Sequence, residues 1–323
     1  MELNAQPTRV TIFGGSGFLG RHVVRVLAGA GCQVRVACRR PDLAGHLQPL
    51  GNVGQIQLVQ ANLRYRWSID RAVEDADVVI NLAAILAPSG KQTFDAVHVR
   101  GAQWVAEAAQ AAKARMVHIS AIGADATSSV EYARTKGEAE DLVRKAAPTA
   151  IIMRPSIMFG AEDAFFNRFA AMACLSPVLP QIGGGHSMFD FVHVGDVARA
   201  VSAAALGRAE EGTVWELGGP ERLSMREAME RMLETIGRKR LMMTIPFPIA
   251  HSAALVLQFL PGAPLTPGQV AMLREDNIVS EEAAANRRTL ADLGIQPSSL
   301  ASVLPSYLVR FRKHGQFEAR RGL

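Results

Sequence analysis

A tyrosine and a lysine stand four residues apart in the run Tyr132-Ala133-Arg134-Thr135-Lys136. Residues at this spacing lie on one face of a helix, so the ammonium group of Lys136 would sit beside the phenol of Tyr132. A neighbouring positive charge favours the phenolate and lowers its pKa toward a useful acid–base range. We therefore predict that Tyr132 is an acid–base group tuned by Lys136, and that both residues also contact a bound cofactor.

A glycine-rich run near the N-terminus could hold a pyrophosphate. An apolar stretch, Arg9–Phe13, leads into Gly14-Gly15-Ser16-Gly17-Phe18-Leu19-Gly20, and an amphipathic stretch follows. In a strand, glycine turn and helix start, the backbone can approach phosphates closely, and the helix N-terminus offers them N–H groups and partial positive charge. The alternative is an ordinary glycine-rich turn, but the strand-to-helix context favours dinucleotide binding.

Two arginines follow the second apolar run, where NAD-binding chains place an acid for the ribose 2′-hydroxyl. Cys38-Arg39-Arg40-Pro41 has no carboxylate before Asp42. Guanidinium groups suit a 2′-phosphate, because their planar donors match phosphate oxygens. Arg39 and Arg40 therefore favour NADP(H) as the cofactor and leave NAD(H) possible; a solvated basic turn is the alternative.

Small and amide side chains follow the next two apolar runs. Ala61-Asn62-Leu63 follows the third run, and Asn81-Leu82-Ala83-Ala84 ends the fourth. The carboxyl ends of parallel strands line the ligand crevice of a doubly wound sheet. We predict that Asn62 and Leu63 adjoin the adenine and that Ala83 and Ala84 leave room for the adenosine ribose.

Short apolar runs alternate with helical stretches through the first half of the chain. The predicted strands are Arg9–Phe13, Gln33–Cys38, Ile56–Gln60, Asp77–Leu82, Met116–Ser120 and Ala150–Arg154, and the clearest helices are Phe94–Lys113 and Tyr132–Ala146. This alternation predicts an α/β fold of the Rossmann type, a doubly wound parallel sheet built from βαβ crossovers.

The alternation weakens after Pro155. We predict a dinucleotide-binding domain over residues 1–155 and a smaller, mostly helical region over 156–323 that returns in part to the main sheet. Helices are expected at Val194–Leu206 and Ser224–Ile236, with Ser224 as the N-cap of a capping box, and a strand at Thr213–Leu217.

The composition excludes several classes of protein. Of 323 residues, 49% are hydrophobic and 20% charged, which is typical of a folded chain with a sizeable core. The net charge of +5 without clustered basic arms favours anionic small ligands or an anionic surface over nucleic acid. Cys32, Cys38 and Cys174 have no metal-ligand spacing and suggest a reducing compartment. The N-terminus has no signal-peptide pattern, which predicts a bacterial-type cytoplasmic location.

Taken together, these motifs resemble the extended or atypical branch of the short-chain dehydrogenase/reductase superfamily. The resemblance rests on the glycine loop, Asn81-Leu82-Ala83-Ala84, Tyr132 with Lys136, Arg154-Pro155-Ser156 and Val192-His193-Val194-Gly195-Asp196. It implies a Rossmann sheet carrying NAD(P), with Pro155 and Ser156 near the nicotinamide and Ser120 also at the cofactor.

One departure from the superfamily pattern concerns the substrate hydroxyl partner. Active members place a Ser or Thr about two residues beyond the fifth strand, and that position here falls on Ile122, after Ala121. Isoleucine cannot donate a hydrogen bond to a developing oxyanion, and losing one such donor costs roughly 10²–10³ in turnover. Tyr132 and Lys136 are therefore candidates for vestigial catalytic groups.

A long segment in the second half has no Asp, Glu, Lys or Arg between Leu241 and Leu273. Its most apolar part, Ile249 to Leu260, is shorter than the ~20 residues that span a membrane. Arg238-Lys239-Arg240 immediately precedes the segment. We predict either a docking surface for a membrane-bound partner, within residues 241–273, or a buried helix of the smaller region.

A second resemblance is to the dehydrogenase-like accessory subunits of respiratory complex I, the NADH:ubiquinone oxidoreductase, and their bacterial homologues. It rests on the run from His118 to Asp125, on Pro264-Leu265-Thr266-Pro267-Gly268-Gln269-Val270 and on Asp276-Asn277. It implies a tightly held, mainly structural NADPH, other complex I subunits as partners near the membrane and the quinone site, and a peripheral position on the cytoplasmic side of the bacterial inner membrane.

Two other functions stay open at this point. The intact Tyr132 and Lys136 fit an active NAD(P)-dependent oxidoreductase or epimerase acting on a sugar nucleotide or a small carbonyl compound. A module that senses the NADPH/NADP⁺ ratio would need different affinities for the two forms.

Overall fold

The computed structural model describes residues 7–259, 265–313 and 315. Its strands in chain order are β1 (Arg9–Phe13), β2 (Gln33–Cys38), β3 (Ile56–Gln60), β4 (Val78–Asn81), β5 (Arg115–Ile119), β6 (Ile151–Pro155), β7 (Met158–Phe159), β8 (Val178–Ile182), β9 (Met188–Phe189), β10 (Val192–His193), β11 (Val214–Leu217), β12 (Leu223–Ser224) and β13 (Leu241–Ile245).

The α-helices in chain order are α1 (Phe18–Gly29), α2 (Arg66–Val73), α3 (Arg100–Ala111), α4 (Glu131–Ala146), α5 (Phe166–Leu175), α6 (Val194–Ala205), α7 (Met225–Thr235), α8 (Phe247–Leu257), α9 (Pro267–Met272), α10 (Glu281–Ala285) and α11 (Leu300–Leu308). The helix predicted at Phe94–Lys113 is present but begins as a wide π-helical turn, Asp95–Val99, before it continues as α3.

Seven parallel strands form the main sheet in the order β11-β6-β5-β4-β1-β2-β3. The chain runs outward from β1 through β2 to β3 and then restarts at β4 on the other side of β1. Ligands of such sheets bind at this reversal, outside the carboxyl ends of the strands. The predicted Rossmann-type fold is therefore confirmed, and the late strand β11 pairs with β6 at one edge of this sheet.

The chain divides into two compact units. The first contains the main sheet and comprises Met1–Pro155, Gly195–Leu217 and Glu281–Ile295. Its strands are apolar because helices cover them; α2, α3 and α4 pack small and branched side chains such as Val105, Ala109 and Val143 into one core cluster. Segments from the second half of the chain thus belong to the sheet unit.

The second unit has its own core and comprises Ser156–Val194, Gly218–Ser280 and Gln296–Leu323. Phenylalanines of α5 and the short strands pack against methionines of α7, Met229 and Met232 among them. The predicted capping box is present, because Ser224 accepts a hydrogen bond from Glu227 N while the Glu227 side chain accepts one from Ser224 N.

The segment from Leu241 to Leu273, which has no Asp, Glu, Lys or Arg, contains β13, α8 and α9 of this unit. Only Ala250 and Ala254 of α8 are buried, whereas Ile249 is 61% and Val256 69% exposed. The alternative of a buried helix is therefore wrong for α8. Within the described residues, no helix is long and apolar enough to cross a membrane. Leu260, Pro261 and Pro264 lie outside those residues. So does most of the basic C-terminal stretch from Arg310 to Arg321, which the sequence predicts to be either a further anchor or a solvated end.

Candidate nucleotide site

The glycine loop forms a tight cradle at the carboxyl end of β1. Gly14 has a φ of +79°, and its carbonyl accepts a hydrogen bond from Gly17 N at 3.0 Å. A Cβ on Gly20 would lie 2.4 Å from the Gly14 oxygen, and one on Gly15 would lie 2.9 Å from Val36 Cγ1. The loop therefore closes only with glycine at these positions.

Helix α1 starts directly from this loop and has the properties of an anion site. Gly17 is its N-cap, no side chain of the described residues caps its first N–H groups, and no acid lies in its first turn. The N-terminus of a helix in this state offers donors and partial positive charge to a phosphate. The residues present therefore fit the pyrophosphate of a dinucleotide.

The loop after β4 lies against the glycine loop at the sheet reversal. A Cβ on Gly14 would approach Ala83 N at 2.9 Å, and Asn81 Oδ1 accepts a hydrogen bond from Ala83 N at 3.2 Å. Ala83 is half-buried and Ala84 exposed, so their methyl groups leave open space beside the cradle. This placement agrees with a ribose contact, which stays a prediction.

The two arginines after β2 differ in their partners. Arg40 is bound to Asp42 by a two-pronged ion pair whose shortest contact is 2.7 Å. Arg39 is exposed at the carboxyl end of β2. Arg40 thus already serves a carboxylate whereas Arg39 stays exposed, a distinction that the sequence could not make. The contact of either guanidinium with a 2′-phosphate stays a prediction.

Asn62 and Leu63 lie at the carboxyl end of β3. The Asn62 side chain accepts a hydrogen bond from Arg64 N at 3.1 Å, and a Cβ on Gly101 of α3 would lie 3.0 Å from Leu63 Cβ. Asn62 therefore organises its own turn and Leu63 packs on α3. Both are half-buried at the edge where the adenine contact was predicted.

Tyr132 and Lys136 lie one turn apart in α4, as predicted, but their side chains serve different partners. Lys136 is buried, and its ammonium donates a hydrogen bond to the carbonyl of Ile119 at the end of β5, 2.9 Å away. Burial lowers the pKa of Lys136 to about 8, against the opposing effect of Glu140. The Tyr132 ring is partly exposed, yet desolvation raises its pKa to about 12. The predicted lowering of the phenol pKa is therefore wrong in this structure.

The strand exit beside Tyr132 presents no hydroxyl in the expected place. Strand β5 ends at Ile119, one residue earlier than predicted, so the second residue beyond it is Ala121 rather than Ile122. Neither side chain can donate a hydrogen bond, and the backbone N–H of Ile122 donates to Pro155 at 3.1 Å. Thr127, from the following loop, donates its hydroxyl to Asp125.

Ser120 and His118 point to the same face of the β5 exit, two residues apart. The Ser120 hydroxyl is buried without a hydrogen-bond partner among the described residues, and so is His118 Nε2. His118 Nδ1 lies 3.3 Å from the Asn81 amide nitrogen, and burial lowers the pKa of His118 to about 3. Buried polar groups of this kind are ordinarily satisfied by a ligand or water, which agrees with the predicted cofactor contact of Ser120.

Several residues that the sequence did not single out hold α4 in place. A Cβ on Gly137 would lie 2.1 Å from Ala126 N, so only glycine admits the loop after β5. Glu140 is 1% exposed and receives two hydrogen bonds from Arg154 of β6, at 2.8 and 2.7 Å. Arg154 is also 3.5 Å from Glu216 of β11. The sequence did not indicate the Glu140–Arg154 pair, because one residue lies on a helix and the other on a strand and only the folded chain brings them into contact.

Pro155 ends β6, where its carbonyl accepts the hydrogen bond from Ile122. Ser156 begins the second unit, and its hydroxyl lies 2.7 Å from the Asn277 side-chain oxygen. Their nicotinamide contacts stay predictions. No cluster of metal-ligating side chains occurs in the described part of the chain, and the three cysteines are free thiols.

Comparison with known proteins agrees with the Rossmann-type fold. Residues 10–218 match the NAD dependent epimerase/dehydratase family. The chain belongs to this family. The predicted kinship with the extended short-chain dehydrogenases is thereby confirmed, and the cofactor class is the nicotinamide dinucleotides.

Similar proteins include complex I subunits and reductases. The Neurospora crassa mitochondrial NADH-ubiquinone oxidoreductase 40 kDa subunit is 31% identical over 310 residues, covering 95% of this chain and 80% of that protein. The ceramide reductase of Caulobacter vibrioides is 33% identical over 252 residues, covering 76% and 77%. A Thermus thermophilus UDP-glucose 4-epimerase structure with NAD has a TM-score of 0.68 at 20% identity, covering 95% and 99% of the two chains, and shares the fold. The predicted resemblance to complex I subunits is confirmed.

Proposed function

We propose that this chain is an accessory subunit of an NADH:ubiquinone oxidoreductase that holds NADP(H) as a structural nucleotide. The observation that carries the proposal is the β5 exit, where Ala121 and Ile122 offer no hydroxyl to a substrate beside Tyr132. Neither of these two side chains can supply the second donor that an oxyanion needs, whereas the glycine loop and the start of α1 suit a pyrophosphate.

Retention of the nucleotide contributes to stability without any turnover. A ligand that binds only the folded chain adds RT ln(1 + [L]/Kd) to the free energy of unfolding, about 2.7 kcal/mol at a hundred times Kd. The Arg39 guanidinium at the end of β2 supports the choice of the 2′-phosphorylated form.

The exposed apolar helix α8 supports the proposal that the chain docks on other subunits. Arg238 and Arg240, which precede it, donate to the carbonyls of Phe311 and Ala173 within the second unit. The basic cluster is thus largely committed internally, and an apolar protein surface suits α8 better than anionic lipid headgroups. We place this docking near the membrane and quinone site of the enzyme, on the cytoplasmic side of a bacterial inner membrane.

The test is to purify the chain, denature it and quantify the released nucleotide by mass spectrometry. We expect close to one NADPH or NADP⁺ per chain. A typical enzyme turns over at about 10 per second, and loss of one oxyanion donor predicts below about 0.1 per second on a panel of carbonyl substrates. Turnover at ordinary enzymatic rates would refute the structural role.

The second candidate is an active reductase, favoured by the Tyr132–Lys136 spacing and by the relative named ceramide reductase. Tyr132→Phe separates the two. A reductase loses its turnover with this change, because the proton donor is gone, whereas the accessory subunit keeps its nucleotide content and its place in the complex.

A further inference from the structure

His98 occupies an unusual stretch of helix. It lies in the π-helical turn Asp95–Val99 that precedes α3, and only 2% of its surface is exposed. Wide turns of this kind interrupt the normal hydrogen-bond ladder and occur preferentially at functional positions. The turn directs the imidazole between the loop after β4 and the first turns of α4.

The hydrogen bonds of His98 define its protonation. The N–H of Ile85 donates to His98 Nε2 at 3.1 Å, so this nitrogen must carry a lone pair. His98 Nδ1 lies 3.1 Å from Thr135 Oγ1, whose own proton goes to the Tyr132 carbonyl at 3.2 Å. The only arrangement that satisfies all three bonds is a neutral imidazole with its proton on Nδ1.

The electrostatic surroundings hold that state. Burial, reinforced by the charge of Lys136, lowers the pKa of His98 to about 3. The ring therefore stays neutral throughout the physiological range, and the acceptor for Ile85 is permanently available.

The two groups that His98 joins, the Ile85 N–H and the Thr135 hydroxyl, belong to the loop after β4 and to α4. Ile85 directly follows Ala83 and Ala84, and the Ala83 backbone adjoins Gly14 of the glycine loop. On its other side the imidazole packs edge-on against the Tyr132 ring, with centroids 5.5 Å apart and planes at 85°. One side chain thus connects the phosphate end of the site with the helix that carries Tyr132 and Lys136.

We propose that His98 is a positioning residue that fastens the loop after β4 to α4 and so aligns the site for the nicotinamide half of the dinucleotide. The inference rests on the proposed nucleotide binding and deepens it. A phenylalanine would fill the same space and keep the contact with Tyr132, but it would leave both the Ile85 N–H and the Thr135 hydroxyl without their partner.

The test compares His98→Phe with wild type, both freed of co-purified nucleotide, against two ligands in calorimetry: NADPH, and adenosine 2′,5′-bisphosphate, which lacks the nicotinamide half. Loss of a hydrogen bond to a buried group predicts an increase of about tenfold in the Kd of NADPH. The Kd of the bisphosphate should change less than about twofold, because this ligand lacks the half that His98 is proposed to align. His98→Gln, which keeps one donor and one acceptor, should recover part of the NADPH affinity.

A second readout does not depend on nucleotide. In the isolated protein, hydrogen exchange of the Ile85 amide should accelerate in His98→Phe and stay protected in wild type, because the bond to Nε2 protects it. If His98→Phe does not fold, Thr135→Val removes the Nδ1 partner and the bond to the Tyr132 carbonyl but keeps the Ile85 bond. It is expected to weaken NADPH binding by about threefold while sparing the bisphosphate.

The outcomes separate the two proposals. Equal weakening of both ligands, or an unchanged NADPH affinity despite faster exchange at Ile85, would show that His98 is merely structural. Slow exchange at Ile85 in His98→Phe would show that the bond is not the fastening contact. If wild type binds neither ligand, the nucleotide proposal itself fails, and the positioning role fails with it.

Discussion

Lys136 is buried as a potential cation, and this has a definite consequence for stability against pH. Its pKa falls from an ordinary 10.5 to about 8 in the folded chain. Between these values the unfolded chain binds more protons than the folded one, so the free energy of unfolding rises with pH. Below pH 8 the full cost of burying the charge is present, and it is relieved as the pH approaches 10.5.

We expect the contribution of Lys136 to add about 2–3 kcal/mol to the free energy of unfolding between pH 7 and pH 10. Lys136→Met should lack this gain, and Lys145→Met, an exposed lysine on the same helix, should retain it. Urea unfolding at the two pH values measures the difference. Parallel pH dependence in wild type and Lys136→Met would mean that the amine is not desolvated.

Arg39 and Arg40 allow a matched test of the preference for NADPH over NADH. Arg40 is engaged with Asp42, so we expect Arg39→Ser to weaken NADPH by about 10–100-fold, the value of a charge-assisted hydrogen bond, and Arg40→Ser to weaken it by less. NADH, which has no 2′-phosphate, should bind both variants as it binds wild type. Calorimetry with the two nucleotides checks this, and an equal loss for NADH would contradict it.

At the scale of elements, α4 is the helix whose position matters most. Glu140 joins it to β6 through two hydrogen bonds from Arg154, in nearly complete burial. Breaking a buried pair leaves an uncompensated charge, which costs far more than losing an exposed pair. The pair therefore fixes the helix that carries Tyr132 and Lys136 relative to the sheet.

Glu140→Gln should lower the free energy of unfolding by about 3 kcal/mol. Asp141→Asn is the control, because Asp141 lies on the same helix but is exposed and forms a long ion pair with Arg144, at 3.6 Å. Its effect on the free energy of unfolding should stay below about 1 kcal/mol. Chemical denaturation of the three proteins makes the comparison. Similar losses for the two variants would mean that the Glu140–Arg154 pair does not hold α4.

The elements show where sequence reasoning succeeds and where it stops. The order of strands and helices followed from apolar runs, because buried parallel strands must be apolar throughout. The glycine cradle followed from local backbone needs at Gly14 and Gly20. The partners of His98 and Glu140 did not, since residues 37 and 14 positions apart meet only after folding. The predicted lowering of the Tyr132 pKa was wrong for the same reason. The four-residue spacing placed Lys136 near Tyr132, but in the folded chain the Lys136 ammonium donates its hydrogen bond to the Ile119 carbonyl.

At the scale of the whole molecule, α8 presents an exposed apolar surface. A helix without Asp, Glu, Lys or Arg that buries little more than two alanines loses the stabilisation that buried apolar side chains normally supply. Ile249 and Val256 are seven residues apart and therefore on one face. Such a face is expected to be covered in the working assembly, and the relatives from NADH-ubiquinone oxidoreductases suggest which assembly.

If the proposed assembly is correct, replacing both Ile249 and Val256 with serine should detach the chain from the oxidoreductase without unfolding it. Burial of each aliphatic side chain is worth about 1.5–3 kcal/mol, so the pair predicts at least a tenfold fall in the fraction that co-migrates with the oxidoreductase on native gels. Leu175→Ser, at a leucine 90% exposed on α5, is the control and should co-migrate normally. The melting temperature of the isolated double variant should stay within a few degrees of wild type, because the two side chains contribute little to its own core. Undiminished co-migration of the double variant would show that α8 does not face the complex, and loss of binding to anionic vesicles alone would assign the face to lipid instead.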